Sequence, residues 1–147
     1  MDRLVANDLV RRALGELGIE SPGLNAKGLG GVQLGSADVY FEHGGQVLNA
    51  TALRSPTEQP LGVYARIYTF SKPPTAAVMN ALEAAESAPD AVNGGGELVY
   101  MEENRGLYLG RLYREPPEVA ALVSDMGELA AASLHWLEHT LETCLHS

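Results

Sequence analysis

Disulfides, membrane spans and a basic surface are all missing from this sequence of 147 residues. The single Cys144 has no internal partner, so no disulfide framework is possible, which suits a reducing compartment. No run approaches the roughly 18 apolar residues a membrane-spanning helix needs. Asp8, Arg11 and Arg12 interrupt the start of the chain, so no signal-peptide apolar region follows Met1. A cytoplasmic protein is expected, in which Asn49-Ala50-Thr51 is an idle glycosylation sequon. Positive charge is scarce: the net charge is −9, and Glu115 to Ser147 holds six acidic residues but no Lys or Arg. Such a surface repels phosphate backbones and anionic lipid, so neither nucleic-acid binding nor membrane insertion is expected. Acidity keeps a protein soluble, and it also attracts a basic partner.

What is present is enough apolar sequence for one domain that folds without metal or disulfide: 46% of residues are hydrophobic. Ala6, Leu9, Val10, Ala13, Leu14 and Leu17 recur at spacings of three and four, predicting a helix from Asp2 to Leu17 that Gly18 ends. Gly28 to Leu34 reads as a glycine-rich, flexible entry to a sheet, with one short apolar piece at Val32 to Leu34. Strands are predicted at Val39 to Glu42, Gln46 to Arg54 and Gly62 to Phe70, with a tight turn at His43-Gly44-Gly45. Ser71 to Thr75 carries a helix start signal, and an alanine-rich helix runs from there to about Ser87. Strands at Glu97 to Glu102 and Leu107 to Tyr113 flank a hairpin turn at Glu103-Asn104-Arg105-Gly106. Pro116-Pro117 opens a long final helix to about Leu145, its apolar stripe including Leu129, Leu134, Leu137, Leu141 and Cys144. The order α-β-β-β-α-β-β-α, with short links between strands, predicts an α+β fold: one domain over residues 1–147 built on a mainly antiparallel sheet.

Catalytic motifs are sparse. His135-Trp136-Leu137-Glu138-His139 matches H-x-x-E-H, which in inverted zinc peptidases supplies two histidine ligands and a general base. No independent third ligand follows it. At helical spacing both histidines share a face with Asp125, Glu128 and Glu142, opposite the leucine stripe, where they read as solvated residues. Cys144 falls on the apolar stripe and reads as a small core residue. Neither Gly28 to Gly31 nor Gly94 to Gly96 has the context of a phosphate-binding loop. No cofactor or catalytic residue is therefore expected. Two other classes stand beside this reading: a small zinc hydrolase using His135, Glu138 and His139, and a stand-alone protein-binding adaptor.

The sheet is apolar on both faces. Val63, Ala65 and Ile67 alternate with Tyr64, Tyr68 and Phe70 around Arg66, and Leu98 and Tyr100 alternate with Val99 and Met101. A sheet with one wet face alternates apolar and polar residues. Either helices cover both faces, or some surface awaits a partner.

The N-terminal stripe of Leu9, Val10, Leu14 and Leu17, the three strands up to Phe70, and the hairpin Glu97 to Tyr113 before Pro116-Pro117 carry a resemblance. Over nearly the whole chain the pattern resembles class I type III secretion chaperones, the Tir-chaperone-like family. The resemblance implies a non-catalytic, acidic, cytoplasmic homodimer serving virulence-related protein transport. Its partner would be the N-terminal segment of an effector protein, held in extended form, kept secretion-competent and handed to the secretion apparatus. It further implies client binding near Val32, Leu34, Val39, Phe41 and Leu48, and dimerisation through Val78, Leu82, Val99 and Met101.

Overall fold

A computed structural model describes residues 1–44 and 59–147. Helix α1 spans Arg3–Glu16; the Asp2 carboxylate accepts from the Val5 N–H at 2.9 Å to cap it, and Gly18, at φ 75°, turns the chain out. Five strands follow: β1 Leu29–Leu34, β2 Ala37–His43, β3 Leu61–Thr69, β4 Glu97–Met101 and β5 Gly106–Tyr113. Helix α2, Ala76–Glu86, lies between β3 and β4 and is capped by Thr75. The chain ends in α3 Val119–His135, a π-helical turn Trp136–Thr140 and α4 Leu141–Leu145.

The element order is the expected α-β-β-β-α-β-β-α, and the sheet is antiparallel throughout, in the order β1-β2-β3-β5-β4. The first strand is not where the sequence reading looked. Leu29–Leu34 is a full member of the sheet, paired from Leu29↔Glu42 to Leu34↔Ala37. Its glycines weaken strand propensity, but the hairpin through Gly35, at φ 62°, puts the segment beside β2, and pairing wins. The strand expected at Gln46 to Arg54 lies outside the described residues.

Pairing alternates which residues share a face. Val32, Val39, Phe41, Val63, Ala65, Leu107, Leu109, Leu98 and Tyr100 fall on the side that meets α1, α2 and α3 in one continuous core. Tyr40, Glu42, Tyr64, Arg66, Tyr108, Val99 and Met101 fall on the other side. Two residues break the expected alternation of β3. A bulge between Arg66 and Tyr68 adds one residue, so Tyr68 and Phe70 join the helix side, where Phe70 packs edge-on against Tyr100. Sequence alternation had grouped them with Tyr64.

The final helix shows a second shift of period. A π turn inserts an extra residue per turn, which rotates the stripe. Trp136 turns inward, 1% exposed, with its indole N–H donating to Asn93 Oδ1 at 2.9 Å. Leu137, expected in the stripe, is 44% exposed, while Leu141 and Cys144 return to the core. Burial pushes the Cys144 thiol up, as befits a small core residue. No helix among the described residues is long and apolar enough to cross a membrane.

Candidate functional site

Strand β1 forms one edge of the sheet, and among the described residues no strand pairs with its outer side. Its sequence, Leu-Gly-Gly-Val-Gln-Leu, has no charge and no proline, the devices that normally block an open edge. Antiparallel pairing fixes which backbone groups point outward. His43 N–H bonds to Gly28 O, so Gly30, Val32 and Leu34 face β2, and Leu29, Gly31 and Gln33 face out. The outward groups of Leu29 are taken: its N–H donates to Asn25 Oδ1 and its carbonyl accepts from the Asn25 N–H. Gly31 and Gln33 remain as an open backbone ladder.

The other edge is closed in part. The outward N–H of Leu98 on β4 donates to Glu86 Oε2 at 2.5 Å, so α2 reaches over and occupies that position. The two edges thus differ in kind, and only β1 offers consecutive free pairing positions among the described residues.

A lock holds β1 in place. The Arg3 guanidinium donates through Nε to His43 Nδ1 at 2.7 Å and through Nη1 to Ala26 O at 3.0 Å. His43, 2% exposed, uses its other ring nitrogen on Met1 O. Gly28 fits this corner because a Cβ there would meet the guanidinium at 2.8 Å. The start of α1, the entry to β1 and the end of β2 are therefore tied together. Beside them Leu4 and Val5 are 82% and 41% exposed, flanking a groove of about 620 Å³ between α1 and Pro116, Pro117 and Val119.

The expected client residues divide. Val32 and Leu34 are half-buried on the edge strand. Val39 and Phe41 are 0% and 1% exposed and belong to the chain's own core, so their side chains offer no surface in the single chain. Leu48 lies outside the described residues. The expected dimer residues divide as well. Val99 and Met101 are half-buried on the tyrosine side of β4, whereas Val78 and Leu82 form the buried face of α2, 7% and 0% exposed. Backbone availability on β1 was missed from sequence, although a charge-free, proline-free run could have signalled it.

The tyrosine side carries its own chemistry. Tyr64 lies across Gly110 and over Gly62, and Tyr108 lies over Gly106, where any side chain would collide with the rings. Tyr108 packs edge-on against Tyr40 and Tyr64. Arg66 bonds Asp38 at 2.7 Å and lies over the Tyr40 ring. Glu42 is 8% exposed and its Oε1 has no hydrogen-bond partner. Burial, with the like charge of Glu103 adding to it, pushes the Glu42 carboxyl up to about 7.

The H-x-x-E-H residues span the end of α3, at His135, and the π turn, at Glu138 and His139. The His135 and His139 rings are 4.7 Å apart and line a groove against the alanines of α2, and Glu138 stands 3.8 Å from His139. Asp125, expected with them on a solvent face, instead accepts from the Tyr113 hydroxyl at 2.6 Å and pairs with Arg111. Among the described residues, no three histidine, cysteine or acidic side chains converge on a metal position.

No protein-family model and no curated protein matches the chain in sequence. Solved structures match its shape. A chain of the ExsC–ExsE complex matches with TM-score 0.64 and 12% identity, over 95% of this chain and 96% of that one. A chain of the HopA1–SchA chaperone–effector complex gives 0.62 at 14% identity, over 94% and 98%. The Yersinia pestis type III secretion chaperone SycH, in complex with a fragment of YscM2, gives 0.55 at 14% identity, over 88% and 97%. Five antiparallel strands with three helical elements in this order, matched end to end, give the chain the fold of class I type III secretion chaperones.

Proposed function

We propose that the protein is a type III secretion chaperone. It binds the N-terminal segment of an effector in extended form, keeps it soluble and competent for secretion, and delivers it to the secretion apparatus from the cytoplasm. One observation carries the reading beyond fold: among the described residues β1 is an edge whose outward backbone groups at Gly31 and Gln33 meet no other strand. An added strand gains main-chain hydrogen bonds there without demanding one client sequence. Val32 and Leu34, with the exposed Leu4 and Val5 nearby, supply apolar contacts that select among clients. Val39 and Phe41 act from beneath, by holding β2 and so β1 in register. The chemistry is equilibrium holding, with no cofactor and no catalytic residue.

Dimerisation belongs to the same proposal. Val99 and Met101 give β4 an apolar, half-buried surface on the tyrosine side, and Val78 and Leu82 fix α2 against the opposite, helix-covered side of the sheet.

Gly31→Pro tests the binding half. It removes one outward N–H from an edge position where proline is tolerated. The variant is expected to keep the melting temperature of the parent within a few degrees and to lose the effector that co-purifies with the unaltered protein from its native host. Undiminished recovery of that effector would contradict strand addition at β1.

A further inference from the structure

Glu42 stands on the tyrosine side of β2, directly across from Leu29 of the edge strand. It is more than nine-tenths buried, and its Oε1 is unpartnered. Among the described residues, the titratable groups that act on it are the Tyr64 phenol of β3 and the Glu103 carboxyl of the β4–β5 turn, and neither brings positive charge. Asp38, further along the same strand, already holds Arg66. A buried carboxyl in such a place is costly as an anion unless a cation pairs with it.

We propose that Glu42 anchors a basic side chain, lysine or arginine, of the client segment added to β1, and that client binding releases the carboxyl proton to solvent. The inference rests on the strand-addition reading given above. A strand added to β1 lies two interstrand spacings from β2, roughly 10 Å, which an extended lysine and the glutamate arm span together. Asn25 closes the outer side of the Leu29 row, so the basic side chain comes from the client residue beside Gly31 and reaches diagonally toward Glu42; Gly31 shares that face and has no side chain in the way. The chain's net charge of −9 favours the same class of partner. The protons balance: the client cation arrives already charged, the acid O–H bond breaks, and one proton leaves. At acid pH that proton must be removed at a cost, so affinity falls by up to about tenfold per pH unit below the carboxyl's own value.

The test uses the full chain and short synthetic peptides of alternating valine and threonine, carrying lysine, norleucine or glutamate at each position in turn. Binding is read by fluorescence anisotropy at about pH 8 and about pH 5.5, and its location by amide exchange at Gly31 and Gln33. At one alternate set of positions lysine should bind about tenfold more tightly than norleucine near pH 8, equivalent to about 1.4 kcal/mol. That advantage should shrink to under about threefold near pH 5.5 and vanish in Glu42→Gln, which must still bind the norleucine peptides. Equal binding of lysine and norleucine peptides that do protect Gly31 and Gln33 overturns the anchor and leaves strand addition standing. A lysine preference that survives in Glu42→Gln also overturns it. Peptides that bind elsewhere, or not at all, overturn both the anchor and the edge reading.

Discussion

Two buried polar side chains of similar accessibility have opposite circumstances. The Trp136 indole N–H has its partner in Asn93, 43 residues away, and this bond pins the π turn to the loop before β4. Glu42 has none. Asn93→Ala should therefore cost about 1–3 kcal/mol, since it strands a buried donor, whereas Trp136→Ala should cost about 3–5 kcal/mol through the cavity it leaves. Urea denaturation of both variants checks the order. Glu42→Gln should behave the other way. The folded carboxyl titrates near 7 against 4.5 for a free glutamate, so the fold favours the protonated acid. That preference is satisfied in full below about pH 4.5 and is lost as pH rises through 7. The glutamine variant should thus gain stability over the parent near pH 8, by up to about 3 kcal/mol, and show little gain near pH 4. A gain independent of pH would show that Glu42 is not the group titrating. At this scale sequence reading was strong for Cys144 and for the α1 stripe from Ala6 to Leu14, but Leu17, expected in that stripe, lies past the end of α1 and is 39% exposed. The reading also failed at Tyr68, Phe70 and Leu137, because a bulge and a π turn each change the side-chain period by one residue, and such insertions leave no mark in a hydrophobic pattern.

At the scale of elements, the informative contrast is between the two sheet edges. Strand β4 is met by α2, with Glu86 taking the outward N–H of Leu98, and among the described residues the outer side of β1 is met only at Leu29, by Asn25. The difference arises from connection length. Helix α2 must cross the helix side of the sheet to join β3 to β4 and so passes the β4 edge, whereas β1 joins β2 through a turn at Gly35-Ser36 and meets only the Gly23–Gly28 segment. Glycine marks another constraint between elements. Gly94, at φ 60°, lets the loop before β4 touch α3, where a Cβ would lie 2.6 Å from the Glu128 carbonyl. Gly94→Ala should cost at least about 2 kcal/mol and lower the melting temperature by several degrees, while Gly35→Ala, strained in φ but open in space, should cost less. The β4 surface carries the dimer proposal: Val99→Asp should lower the sedimentation coefficient toward that of a single chain, and an unchanged coefficient would remove β4 from the interface. Strand existence was legible from β-branched and aromatic runs for β2 to β5. The first strand was not, since glycine at two of its six positions hides a segment that pairing, rather than propensity, makes extended.

At the scale of the molecule, the described residues form a sheet with helices α1, α2 and α3 gathered on one side. The sequence reading recognised apolar residues on both sides without knowing which side the helices take, because burial depends on contacts far apart in the chain. Fold class and element order were legible because caps, prolines and glycines punctuate the chain at nearly every boundary. The division of the expected site residues was not: Val39 and Phe41 read as available surface only until β1 and the helices close over them. The proposed function places the client at the β1 edge, whose outer side no strand pairs among the described residues. Hydrogen–deuterium exchange of the full chain, alone and bound to the effector it co-purifies with, tests that claim most directly. The Gly31 and Gln33 amides should exchange rapidly in the free protein and slow at least about tenfold in the complex, as newly paired strand amides do. Protection confined to other elements, with Gly31 and Gln33 as fast as before, would contradict the account.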